Sequence, residues 1–350
     1  MVLFPNFPEA SRVGAAMTPM LHPRLVNGRF GDPALFVEML HRREALLFDA
    51  GDLSALSTRD LLRVTHLFVS HMHMDHFIGF DPLLRVHVGR EKAMRVLGPA
   101  GIIDRAGHKL QGYDWDLAER YQTDLIFEVV EVGENGPEAA ARFRFKRRFE
   151  RDPLDIPADW NEVVGLKLET ALLEHHGPCL GFAVSEPAHV NVWKSRLEQR
   201  GLAAGKWLQE LKAAVLAGLP DCHEVDVKGH FRPLGELRGL ITVSQGQKIA
   251  YVTDVADTPA NRAAIVTLAQ DADLFFLESR FAAADAEQAV QRAHLTTCAA
   301  GEIARAAGVR RLEAFHFSPR YEGDEQRMLD EVAAAFASIP AGINSGECAA

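Results

Sequence analysis

Apolar positions along the chain fall into short extended runs separated by stripes at helical spacing. Ala34 to Leu40, Glu44 to Phe48, Leu67 to Val69, Arg95 to Leu97 and Asp124 to Val132 read as strands. So do Val164 to Leu173, Leu180 to Val184, Ile249 to Thr253, Leu274 to Leu277 and Leu312 to Phe315. Between them, Ser54 to Leu62, Phe77 to Val86, Pro259 to Ala269, Thr296 to Ala307 and Gln326 to Phe336 read as helices, and Leu117 to Tyr121 as a short one. Local signals support the starts. Ser57, Asp116, and Thr296 or Thr297 are candidate N-caps, and Pro259 suits a first helical turn. Alternation of strand and helix predicts an α/β fold. Residues 1 to 30, rich in Pro, Gly and Asn, read as an irregular lead-in, and the Gly/Ser-containing tail reads as mobile. Residues 187 to 237 change character, with helical patterns around Val192 to Gln199 and Lys206 to Leu216 joined by polar links. They predict a helical arm inserted into a single domain spanning 1 to 350.

Four of the strands deliver a polar residue at their C-terminal end: His71, His175, Asp254 and His316. In open α/β sheets that end faces the functional crevice. The densest chemistry is THLFVSHMHMDHFIGF, Thr65 to Phe80, which places His71, His73, Asp75 and His76 directly after an apolar strand. Alternate side chains of an extended loop share a side, so His71 and His73 can clasp one ion. Asp75 and His76, where the loop turns into a helix, can face a second. Two ions need further ligands, and His175, Asp254 and His316 are placed to supply them, Asp254 bridging. Each alone has a plainer explanation: His175 as a hydrogen-bonded strand-end histidine, Asp254 as a helix N-cap, His316 as a core histidine. The HxHxDH pattern in its strand–loop–helix setting favours the metal.

Composition narrows the function classes. The chain has 350 residues, 47% hydrophobic and 25% charged, as expected of a soluble globular protein. A net charge of -10 argues against indiscriminate nucleic-acid binding while leaving room for a local basic patch. ARFRFKRRF, Ala141 to Phe149, begins with strict Arg/Phe alternation. It reads either as a basic strand facing RNA phosphates or, preferably, as an amphipathic strand with a solvated basic face. The N-terminus has no basic region followed by an apolar core, and no run is long enough to cross a bilayer. Cys179, Cys222, Cys298 and Cys348 are scattered without CxxC spacing, so no thiolate metal site is expected. These features predict a cytoplasmic protein without a membrane partner.

HMHMDH after a strand resembles the metal-binding motif of the metallo-β-lactamase superfamily. Within it the chain resembles the ribonuclease Z family, endonucleases that trim tRNA 3′ ends. LLFDAGD, LEHHGPCLGF, IAYVTD, LFFLES, AHLTT and FHFSPRY resemble further segments of that family, so the likeness runs over residues 34 to 322. It implies a four-layer αβ/βα sandwich with two divalent ions, zinc or alternatively manganese or iron. One ion would be held by His71, His73 and His175, the other by Asp75, His76 and His316, with Asp254 shared and Asp49 orienting the ligands. A hydroxide bridging the ions would attack phosphorus, with Asp75 as base. His294, tuned by Glu278, would stabilise the phosphorane or protonate the leaving oxygen. The plainer readings are a cap or loop role for His294 and a buried, paired carboxylate for Glu278. The implied partner is precursor tRNA, and the implied assembly a homodimer in which one subunit's arm serves the other's active site. The segment 187 to 237 takes the place of the family's tRNA-holding arm, but its tip, Gly201 to Trp207, lacks the family's Gly-Pro pair. Hydrolysis of a small phosphodiester or another ester at the same centre is therefore the alternative function.

Overall fold

Two β-sheets lie face to face because each has two apolar faces, one shared with the other sheet and one covered by helices. The structure, a computed structural model, describes residues 20 to 338; the start of the expected lead-in and the expected mobile tail lie outside the described residues. The first sheet holds β1 Leu21–Leu25, β2 Leu35–Met39, β3 Ala45–Phe48, β4 Val64–Phe68, β5 Lys92–Gly98, β6 Leu125–Gly133, β7 Gly136–Arg144 and β8 Arg151–Pro153, in sequence order. From β3 to β6 neighbouring strands are parallel, and the flanking pairs are antiparallel. The helices of this half are α1 Thr58–Arg63, α2 Met74–Phe77, α3 Phe80–His87 and α4 Ile102–Gln111.

The second half begins with β9 Glu162–Val163, β10 Leu166–Glu174 and β11 Pro178–Ser185. An arm follows, built from β12 His189–Val192, α5 Lys194–Gln199, α6 Trp207–Leu216, β13 Glu224–Val227, β14 His230–Pro233, α7 Leu234–Arg238 and β15 Ile241–Ser244. The chain then returns as β16 Lys248–Val252, α8 Pro259–Ala269, β17 Leu274–Glu278, α9 Ala286–Gln291, α10 Thr297–Ala306, β18 Leu312–Phe315 and α11 Glu325–Ala337. The second sheet runs β18-β17-β16-β11-β10-β9.

The strand period of two sorts side chains between layers. In β4, Leu67 packs under the helices with Leu83, Leu84 and Ile103, while Phe68 faces the other sheet with Phe48, Phe182 and Tyr251. On the far side, Ile265 and Leu268 of α8 and Ile303 of α10 cover Val252, Phe275 and Leu277. Each such buried side chain contributes roughly 1.5–3 kcal/mol relative to exposure. The result is the expected four-layer sandwich.

Several local expectations change. The lead-in read as irregular contains β1. Asp116 makes no cap; the expected short helix is a 3-10 turn over Ala118–Arg120 preceded by Leu117. The helix expected from Phe77 to Val86 is broken at Ile78–Gly79, because the Gly79 amide turns to donate to the Ala50 carbonyl at 2.8 Å. The expected helical arm is mixed. It includes two antiparallel ribbons, β12–β15 and β13–β14, and continues to Ser244. Trp207, Leu211, Val225, Leu234 and Leu237 form a cluster separate from those of the sandwich. Strands of four residues are too short to show a period, which is why the pattern revealed only the helices. ARFRFKRRF leaves the sheet after Arg144. Its arginines are paired within the chain: Arg142 with Glu128 at 2.8 Å, Arg144 with Asp124 at 2.9 Å, Arg147 with Asp152 at 2.7 Å and Arg148 with Glu119 at 3.0 Å, while Lys146 donates to the Gln122 carbonyl at 3.1 Å. Among the described residues no helix is long and apolar enough to cross a membrane.

Gly79 lies so close to the Ala50–Gly51 turn that an added Cβ would overlap the Gly51 carbonyl oxygen and the Leu53 side chain. Gly79→Ala is expected to destabilise the fold by on the order of 3 kcal/mol, read from the urea midpoint. A second test concerns His66 in β4, which burial, then Arg95 and Lys92, push down to about 4 from 6.5. The unfolded chain thus binds the extra proton first, so stability is complete above pH 6.5 and falls as pH drops from 6.5 towards 4. His66→Gln is expected to flatten the urea-midpoint profile over that window; an unchanged slope refutes the assignment.

Candidate metal centre

The ends of β3, β4, β10, β16, β17 and β18 meet at one edge of the sandwich. Three of the residues concerned sit in left-handed backbone: Asp49 at φ 54°, Asp254 at 46° and His316 at 60°. Such conformations cost about 1–3 kcal/mol each and persist where the surroundings fix them. Here they turn side chains off the strand ends into the crevice.

Asp49 is fully buried and organises the loop. Its Oδ1 accepts from the Ser70 amide at 2.7 Å. Its Oδ2 accepts from the Ser70 hydroxyl at 2.8 Å and the Tyr251 hydroxyl at 2.8 Å, and lies 3.0 Å from His76 Nδ1. The opposite nitrogen of that ring, Nε2, is buried and has no hydrogen-bond partner among the described residues. It lies 3.4 Å from Asp254 Oδ2 and 3.8 Å from Asp75 Oδ2. With a proton on Nδ1 for Asp49, the Nε2 lone pair would point at two carboxylates, an arrangement that calls for a cation.

Asp254 is the hub. Its Oδ2 lies 3.6 Å from His71 Nε2 and 3.6 Å from His175 Nε2. Its Oδ1 is 2.7 Å from His316 Nδ1, which lacks hydrogen-bond alignment. His175 Nδ1 is held by the Ala293 carbonyl at 2.8 Å, leaving Nε2 for the centre. His71 Nε2 and His73 Nδ1 are 2.8 Å apart. The ligand atoms of His71, His73, His175 and Asp254 lie within 4.8 Å of one another, and so do those of Asp75, His76 and His316. A third group joins Asp254, Glu278, His294 and His316. In it Glu278 Oε2 is 3.0 Å from His294 Nδ1, while Glu278 Oε1 accepts from the Val255 amide at 2.7 Å.

Burial and charge compete across the cluster. Burial, then the neighbouring His76, push His71 down to about 2, and burial lowers His175. Burial opposes charge on His76, but Asp254 and Asp49 outweigh it and raise its pKa well above the usual value. Burial likewise disfavours the Asp254 carboxylate, yet His316 and His76 hold it well below the usual range. For His294 burial is outweighed by Glu278, and its pKa is raised. Neutral imidazoles beside an ionised carboxylate form the donor set that divalent ions such as zinc accept. A cation between His76 and Asp254 would replace the extra proton that His76 otherwise carries.

The structure brings together Asp49, His71, His73, Asp75, His76, His175, Asp254, Glu278, His294 and His316. It adds three residues that sequence reasoning missed. Ser70 touches Asp49, His71 and His76; Tyr251 reaches Asp49 from the opposite sheet; Arg280 Nη1 lies 2.6 Å from His316 Nε2. Adjacency to the motif could have flagged Ser70, but Tyr251 reads as an ordinary strand residue. Removing the carboxylate charge at Asp49 tests this wiring. Asp49→Asn is expected to weaken metal binding about 10–100-fold, and Tyr251→Phe to cost about 1.5–3 kcal/mol of stability with metal stoichiometry kept. Titration with a metal-indicator dye and urea melts check both.

No family model matches the chain. A ribonuclease Z of Deinococcus radiodurans is 34% identical over 303 residues, covering 83% of this chain and 88% of the relative. A ribonuclease Z of Thermobifida fusca is 33% identical over 304 residues, covering 83% and 80%. The metallo-β-lactamase fold protein YhfI of Bacillus subtilis superposes with a TM-score of 0.52 at 15% identity, covering 90% of this chain and 92% of that one, a likeness of fold. An identity of 34% over most of both chains, on a sandwich of this fold with its imidazole and carboxylate cluster at the strand ends, makes the chain a metal-dependent hydrolase that belongs to the ribonuclease Z family.

Proposed function

We propose that the chain is an endoribonuclease that cleaves precursor tRNA at its 3′ end, using two divalent ions, preferably zinc, with manganese or iron also fitting the ligands. One observation carries the reading. Asp254 stands between two imidazole groups, His71, His73 and His175 on one side and His76 and His316 with Asp75 on the other, each able to hold one ion. The curated relatives named ribonuclease Z favour RNA as the substrate.

Bound ions would supply an acidified water and neutralise charge on the phosphoryl oxygens. The chain's own groups do the rest. Asp75, with its side chain 41% exposed, takes the proton of the attacking water. The buried Glu278 holds the Nδ1 side of His294, so Nε2 is the atom that passes a proton to the leaving oxygen or steadies the developing charge. Asp49 fixes His76, and the Ala293 carbonyl fixes His175, in the tautomers that leave Nε2 free to coordinate. The segment 187 to 237 serves as an exosite for the tRNA body, and the enzyme works in the cytoplasm as a homodimer.

The deciding measurement incubates the protein with a 3′-extended precursor tRNA and zinc or manganese, beside a small phosphodiester. Cleavage of the RNA is expected. His73→Ala should lose metal and at least about 100-fold in rate, whereas His294→Ala should keep its metal and lose about 10²–10⁴-fold in kcat. Turnover of the small diester with no cut in the RNA selects the alternative substrate class.

A further inference from the structure

The first sheet has a second functional-looking end. At the start of β4 and β5, where β2 turns into β3, lies a cleft of about 890 Å3. Because β3 to β5 are parallel, this is the end opposite the metal centre. The five residues of β4, at about 3.3 Å each, set the two roughly 16 Å apart.

The cleft is cationic on a chain of net charge -10. Arg42, Arg43, Arg59, Arg63 and Lys92 line it against only Glu38 and Glu44. Glu38 is already taken by Arg63. Arg63 also donates to the backbone carbonyls of Arg43 at 3.1 Å and Arg42 at 3.4 Å, which fixes the turn carrying them. That turn is itself constrained, with His41 in left-handed backbone at φ 61°. The side chains of Arg42, Arg43 and Arg59 form no hydrogen bond or ion pair with the described residues. Lys92 is half-buried, and among the described residues its ammonium donates only to the Leu62 carbonyl, at 3.3 Å. Burial lowers its pKa against the pull of Glu44.

The contrast within the same molecule is informative. The arginines of the 142 to 151 stretch each face an acid, so their charge is spent internally. In the cleft, Arg42, Arg43 and Arg59 are exposed lining residues, and none has an acid partner among the described residues. Their planar forks suit the paired oxygens of phosphate. A concave site of this volume suits a small ligand, whereas an RNA backbone would track an extended stripe.

We propose that this cleft binds a small polyphosphate anion, either a linear inorganic polyphosphate or the phosphate tail of a nucleotide. The site is independent of the reaction assigned to the metal centre. The test is calorimetric titration of the full-length, metal-loaded protein, where anion binding at the metal centre is the part that the cleft variant leaves unchanged. Tripolyphosphate and ATP are the probes, with orthophosphate as the single-phosphate control. Saturable binding is expected, weakened at least about tenfold in Arg43→Ala/Arg59→Ala. The two side chains lack partners among the described residues, so the melting temperature and precursor-tRNA cleavage should stay unchanged. Equal affinity for the two probes identifies the phosphate chain as the ligand, and tighter ATP binding identifies a nucleotide; either supports the site. Absence of saturable binding at millimolar probe overturns it, as does undiminished affinity in the double variant. A raised KM for precursor tRNA in that variant, without tripolyphosphate binding in the parent, makes the cleft an RNA contact instead.

Discussion

A carboxylate with no access to water must be surrounded by donors, and much of this molecule follows from that requirement at Asp49. Its partners come from three places: Ser70 at the end of β4, His76 in the loop beyond it and Tyr251 in the facing sheet. One side chain thereby couples the spacing of the sheets to the orientation of a candidate metal ligand. Its own amide donates to the Phe68 carbonyl at 2.7 Å, tying the acidic turn to the strand that launches the histidines. The turn and the loop are clamped a second time, by the Ala50 amide to the His76 carbonyl and the Gly79 amide to the Ala50 carbonyl. The site is therefore shaped by the same contacts that hold the first sheet to its helices.

This coupling explains what the sequence disclosed and what it concealed. The apolar runs of the sandwich are long enough to show their period, and HxHxDH needs no tertiary information to suggest a metal. His175, Asp254 and His316 were legible because each closes an apolar strand. Other features depend on partners distant in the chain. The break at Gly79 exists because of a turn some thirty residues earlier, and Tyr251 acquires a polar role only when the sheets meet. Arg280, two residues after Glu278, carries no local mark, and its approach to His316 depends on the parallel pairing of β17 and β18.

Basic residues show the limits of linear reading most clearly. The most conspicuous cationic run, ARFRFKRRF, is matched by acids that the fold brings beside it. The exposed pair of Arg148 with Glu119 adds little stability, but all four pairs remove the charge from use by a ligand. The inconspicuous His41-Arg42-Arg43-Glu44 turn keeps two guanidinium groups without acidic partners among the described residues. Whether a cation is available to a ligand is decided by tertiary pairing, and the density of Arg and Lys in the chain is a poor guide to it.

The attachment of the arm has a consequence for how such a protein diversifies. Ser185, the last residue of β11, and Lys248, the first of β16, are cross-strand partners in an antiparallel ladder. Everything between them is topologically the loop of a β-hairpin, enlarged until it owns a core. A lineage could lengthen, shorten or exchange that loop while the ladder beneath it stayed closed and the candidate metal-binding edge at the other end kept its register. Descent with a constant chemistry and a changing clientele is what this architecture permits.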